Sequence, residues 1–90
     1  MAVMCVQGFI SGRVQGVFYR SAVLKEAKSR GLSGWVKNLT DGRVEVMICG
    51  EQEAVNDLHE WLWIGSKMSE VKSVEVHEVP WQMFTNFEVR

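Results

Sequence analysis

Residues 12–20 read Gly-Arg-Val-Gln-Gly-Val-Phe-Tyr-Arg, two glycines set between an apolar run and a helical pattern. That junction decides the fold. Upstream, residues 3–11 (VMCVQGFIS) are β-branched and aromatic enough to predict a strand. Downstream, residues 19–30 (YRSAVLKEAKSR) place Tyr19, Val23 and Ala27 on one helical face at i, i+4 and i+8, with Ala22 and Leu24 beside them. Residues 12–18 are expected to be the loop between the two. Gly31 followed by Leu32 suits a helix stop, with glycine in the left-handed conformation and the next apolar residue packing back.

Working outward, residues 34–38 (GWVKN) predict a short second strand, and Asp41-Gly42 a turn, because both residues tolerate positive φ. Residues 43–50 (RVEVMICG) alternate, with Val44, Val46 and Ile48 on one face. Residues 51–63 predict a second helix with an apolar stripe of Ala54, Val55, Leu58, Trp61 and Leu62. Residues 70–79 alternate again, with Val71, Val74, Val76 and Val79 as an imperfect apolar side, and residues 84–89 suggest a short last strand. The order is β-α-β-β-α-β. It predicts an α+β, ferredoxin-like α/β sandwich, an antiparallel sheet with two helices on one face. Right-handed crossovers then put the third strand between the first two, and the loop after strand one comes near the end of strand two.

Bulk properties narrow the function. A 90-residue chain is one domain, 1–90, and buries only a modest core. It is 47% hydrophobic and 23% charged, ordinary for a globular protein. A net charge of −1 offers no general basic surface for nucleic acid, so any anion site must be local. No run approaches the roughly 20 apolar residues of a membrane-spanning helix, and the N-terminus lacks the basic region of a leader. A cytoplasmic monomer, with neither nucleic-acid nor membrane partner, is the expectation. Cys5 and Cys49 are too few for a disulfide scaffold and lack zinc-type spacing. If Val6, Ile10, Val44, Val46 and Ile48 face the helices, however, both cysteines share the other face and stand opposite each other. A disulfide between them is geometrically possible, although cytosolic thiols are usually reduced.

Two stretches carry chemistry. A glycine-bearing loop between a strand and a helix curls its N–H groups around an anion, and the helix start adds a positive dipole end. Arg20, in the first helical turn, opposes that dipole unless an anion lies between, and its planar fork suits phosphate. The alternative is a solvated surface arginine. In the second stretch, Gly34-Trp35-Val36-Lys37-Asn38-Leu39-Thr40-Asp41-Gly42-Arg43-Val44-Glu45, Asn38 ends a strand. Its amide both accepts and donates, so it could grip a water. Its alternative role is a turn residue bonding its own backbone.

GRVQGVFYR resembles the acylphosphatase signature, Gly-x-Val-Gln-Gly-Val-x-(Phe/Tyr)-Arg, and GWVKNLTDGRVEV resembles that family's second block. The two blocks have the family's order and spacing, and the resemblance spans the chain. Phe18 fills the variable position. The resemblance implies a hydrolase that cleaves the carboxyl-phosphate bond of acyl phosphates, which are acid anhydrides, to carboxylate and inorganic phosphate. It implies that the backbone N–H groups of Gln15, Gly16, Val17, Phe18, Tyr19 and Arg20 cradle the phosphate. The Arg20 guanidinium binds it, and Asn38 orients the attacking water. No metal, cofactor or covalent intermediate is implied, and inorganic phosphate is expected as product and competitive inhibitor.

Other residues have plainer roles. His59 and His77 lie away from the glycine loop and are expected on the surface. Trp61 is expected in the core, and Trp63 and Trp81 as partly exposed packing residues. Glu51, Glu53, Asp57 and Glu60 are expected as a solvated helix face. A non-catalytic module sensing a phosphorylated metabolite would share the fold, but it would not need Arg20 and Asn38 together. An RNA-binding domain needs aromatics on strands one and three, where the open face would carry Cys5, Gln7, Phe9, Glu45 and Met47. A metal chaperone lacks the C-x-x-C it would need.

Overall fold

The structure, a computed structural model, describes residues 2–90. Strand β1 spans Val3–Arg13, helix α1 Tyr19–Ser29, β2 Ser33–Asn38, β3 Val44–Glu51, α2 Gln52–Leu62, β4 Glu70–Val79 and β5 Phe87–Val89. They form one sheet in the order β4-β1-β3-β2-β5. Strand β3 lies between β1 and β2 and is antiparallel to both, as the right-handed crossovers require. The fold is the expected ferredoxin-like α+β type.

The register follows the apolar parity. Val6 pairs with Ile48 and Ile10 with Val44, and these side chains enter the helix-side core with Val46. Tyr19, Val23 and Ala27 of α1 and Val55, Leu58 and Leu62 of α2 close that core. A slip of one residue would turn every one of these strand side chains to the other face. Cys5 lies opposite Cys49, with Cα atoms 4.1 Å apart, and the two are joined as a disulfide. Both are fully buried, in a second, smaller cluster on the far face with Met47, Trp35, Val79 and Phe84.

Three expectations are corrected. First, β1 does not stop at residue 11 but runs to Arg13. Gly12 sits in the strand beside a bulge, where the β1–β4 register shifts and Lys72 is left unpaired. A Cβ on Gly12 would overlap the Glu70 carbonyl oxygen, so this glycine answers crowding within the sheet. The bulge also explains the imperfect alternation of β4. It returns Val71 to the helix side with Val74 and Val76, while Val79 packs on the far face.

Second, the last strand is only Phe87–Val89, and it runs parallel to β2, so the five-stranded sheet is mixed. Antiparallel pairing makes β4 codirectional with β3. A chain that leaves β4 and reverses once must therefore run alongside β2 in the same sense. Third, the face away from the helices is not open. Residues 80–86 cross it from one sheet edge to the other, the Gln82 N–H donating to Cys5 Sγ at 3.3 Å and Phe84 packing on the second cluster.

Candidate active site

With β1 running to Arg13, the loop into α1 is residues 14–18. Gly16 has φ 74° and Phe18 φ 62°, and Val17 between them is not in the left-handed region. Such alternation turns neighbouring N–H groups toward one side, the arrangement of an anion-binding nest. A Cβ on Gly16 would meet no protein atom, so its glycine is required by φ and not by packing. Ala22 N–H donates to Phe18 O at 3.1 Å. The N–H groups ahead of it, Gly16 to Ser21, find no main-chain acceptor among the described residues. No acidic side chain occupies the first turn of α1. The positive end of the helix is thus uncompensated where Arg20 stands.

The loop is braced from three directions. Val14 and Val17 are buried in the core. Ser66 Oγ donates to Val17 O at 2.6 Å. The Tyr19 hydroxyl donates to Leu62 O at 2.7 Å, tying the first turn of α1 to the end of α2, and its ring meets Trp61 edge-on with centroids 6.1 Å apart. Burial pushes the Tyr19 phenol well above its ordinary pKa, so it stays a donor.

Gln15 does more than lend its backbone. Its Nε2 donates to Leu39 O at 2.8 Å and to Arg43 O at 2.9 Å, locking the loop to the β2–β3 turn. The turn holds itself otherwise: Leu39 N–H donates to Arg43 O, Gly42 N–H to Leu39 O, and Arg43 N–H to Asp41 Oδ1. The Arg43 N–H first, and the Arg43 guanidinium with Nε 2.9 Å from Asp41 Oδ2, hold the Asp41 carboxyl below its usual pKa. Asn38 therefore closes no turn. It is the last residue of β2, paired with Val44. Its Oδ1 is buried and finds no hydrogen-bond partner among the described residues.

Arg20, Asn38, Gly16, Phe18 and Tyr19 line one cleft of about 350 Å³, together with Val14, Ser21 and Val89. One wall is the loop and first turn of α1; the other is the ends of β2 and β5. Arg20 Nη1 donates to the main-chain oxygen of Arg90 at 3.0 Å, which aims the guanidinium across the cleft. Arg90 is in turn fixed by its N–H on Val36 O at 2.8 Å. Gln15 and Val17 stand behind this lining as part of the loop. The side-chain bonds of Gln15, Ser66 and Arg20 are tertiary features that the local sequence does not signal.

The remaining candidates lie elsewhere. His59 is half-buried on α2 and His77 is exposed on β4. Trp61 is half-buried against the core, while Trp63 and Trp81 are exposed. No group of three or more His, Cys, Asp or Glu residues that could hold a metal ion occurs among the described residues. No described helix is long and apolar enough to cross a membrane. On the far sheet face Glu45 is nearly buried, accepting from Gln7 Nε2 at 2.6 Å beside Lys37 Nζ at 3.7 Å. A nearly buried carboxylate there makes a poor stacking platform.

Comparison with known proteins points the same way. A family model described as Acylphosphatase matches residues 6–89. A curated relative from Pseudomonas paraeruginosa (strain DSM 24068 / PA7), named acylphosphatase, is 47% identical over 100% of this chain and 99% of its own. A solved acylphosphatase from Coxiella burnetii superposes with a TM-score of 0.95 at 42% identity, covering 98% of this chain and 93% of that one. The acylphosphatase from Bacillus subtilis superposes with a TM-score of 0.94 at 36% identity, covering 99% of both.

Proposed function

The chain belongs to the acylphosphatase family, enzymes acting on acyl phosphates, and from that premise we propose how its own residues divide the reaction. The N–H groups of residues 15–20 cradle the phosphoryl oxygens. The Arg20 fork, aimed by Arg90, neutralises their charge. Asn38 holds the attacking water on the opposite wall. The water oxygen bonds to phosphorus as the phosphorus–acyl oxygen bond breaks in line with it. The bond's electron pair leaves with the carboxylate, and the water protons stay with the phosphate product. A carboxylate is a good leaving group, so positioning and charge stabilisation supply most of the rate.

One observation carries this assignment: Asn38 lines the same cleft as Arg20, and its Oδ1 has no hydrogen-bond partner among the described residues. A buried acceptor left without a partner costs about 1–3 kcal/mol. Left out of the fold's own bonds, the amide is free to turn to the cleft and hold a water there. A phosphate-sensing module would have no use for that atom.

The direct test follows loss of anhydride absorbance as the purified chain acts on benzoyl phosphate. Turnover is expected, and it is expected to persist in excess EDTA. Inactivation by chelator that divalent metal reverses would remove the proposed mechanism. Inorganic phosphate should also inhibit competitively, because the cradle is preformed and takes the product as readily as the substrate's phosphoryl group. Purely noncompetitive inhibition would show that phosphate binds elsewhere.

A further inference from the structure

Phe18 is the one non-glycine residue with positive φ among the described residues. A bulky side chain is disfavoured there. Nevertheless the residue is 77% exposed, so it gains little from packing in return. Folding explains neither choice. The cradle explains the backbone conformation, since Phe18 alternates with Gly16 to turn the N–H groups inward, but glycine would serve that purpose better. The ring itself needs another reason. Other exposed apolar side chains, Trp63, Ile64, Met68, Trp81 and Met83, lie outside the cleft lining.

We propose that Phe18 reads the acyl half of the substrate and favours aryl acyl phosphates over small aliphatic ones. The inference rests on the proposed roles of the cradle and Asn38. In-line displacement puts the attacking water and the departing carboxylate on opposite sides of phosphorus. With the water on the β2 wall, the acyl group leaves toward the loop and the first turn of α1. Phe18 is the exposed apolar side chain of that wall. Val89, 42% exposed and lining the same cleft, belongs to the water side and is not placed to touch the acyl group. An aromatic face stacks on an aryl group and gains little from a methyl.

The experiment measures kcat/KM for benzoyl phosphate and for acetyl phosphate and takes their ratio. The ratio cancels any general damage to the cradle. It is expected to fall about tenfold in Phe18→Ala, the scale of a single aromatic contact. The same fall is expected in Phe18→Gly, which relieves the backbone, and the ratio should survive in Phe18→Tyr, which keeps the ring. Val89→Ala should leave it within about twofold. An unchanged ratio in Phe18→Ala, or an equal fall in Val89→Ala, overturns the assignment while the hydrolase function stands. Failure of the wild-type chain to hydrolyse either substrate would remove the function, and this inference with it.

Discussion

Arg20→Ala is expected to abolish turnover and phosphate inhibition together, lowering kcat/KM on the order of 10³-fold or more, the scale of an arginine that neutralises a transferring phosphoryl group. In the proposed role the guanidinium meets the anion both before and during the reaction, so ground-state and transition-state binding should be lost at once. Arg20→Lys is expected to be nearly as severe. In the structure the side chain already spends one N–H on the Arg90 oxygen and presents the rest of its planar fork to the cleft. An ammonium cannot hold that anchor and also meet two phosphoryl oxygens in one plane. Folding should survive, because the bond to Arg90 is exposed and such a bond contributes only about 0.5–1.5 kcal/mol. Phosphate titration by calorimetry, alongside thermal melting, is the check. An Arg20→Ala protein that still binds phosphate with wild-type affinity would mean that the cradle works without the guanidinium.

Local sequence carried the strand pairing far. Side-chain parity alone set Cys5 opposite Cys49 and Val6 opposite Ile48, because the wrong register would have exposed Ile10, Val44 and Val46 together. Topology brings the end of β2, with Asn38, beside the glycine loop and Arg20 at the start of α1, but their roles were implied only by the resemblance to the acylphosphatase blocks. What stayed hidden depends on distance along the chain. Gly12 looked like loop chemistry because a glycine required by the Glu70 carbonyl of a neighbouring strand has the same local signature as one in a turn. The path of residues 80–86 has no periodicity to betray it; its direction is fixed only by which sheet edge it must reach. The bonds from Gln15 to Leu39 and Arg43, from Ser66 to Val17 and from Arg20 to Arg90 join residues 24 to 70 positions apart. Each aims or holds a group that the sequence had identified only by type. The sequence therefore offered candidate groups, and tertiary contacts place them around one cleft.

The orientation of Asn38 leads to the sharpest separation of roles. Asn38→Ala is expected to lower kcat on the order of 10²-fold or more, the loss seen for other single donors that act at a transition state, while phosphate affinity stays nearly unchanged. In the proposed role Asn38 touches the water and not the phosphoryl group, so its contribution should vanish from kcat and hardly from binding. A turn residue would behave differently, losing stability first. The Asn38 side chain takes no part in the turn's hydrogen bonds: the β2–β3 turn is held by Leu39, Gly42, Asp41 and the Gln15 amide. Removing the amide deletes a buried acceptor that has no partner within the fold, so the melting temperature should not fall and could rise slightly. Asn38→Asp sharpens the contrast. It keeps the shape but adds a negative charge facing the bound anion, so it should lose phosphate affinity as well as turnover. A folded Asn38→Ala chain that binds phosphate and barely turns over is the expected result. A chain that keeps near-normal kcat would take the water from Asn38. One that loses stability and activity in parallel would make Asn38 a structural residue after all.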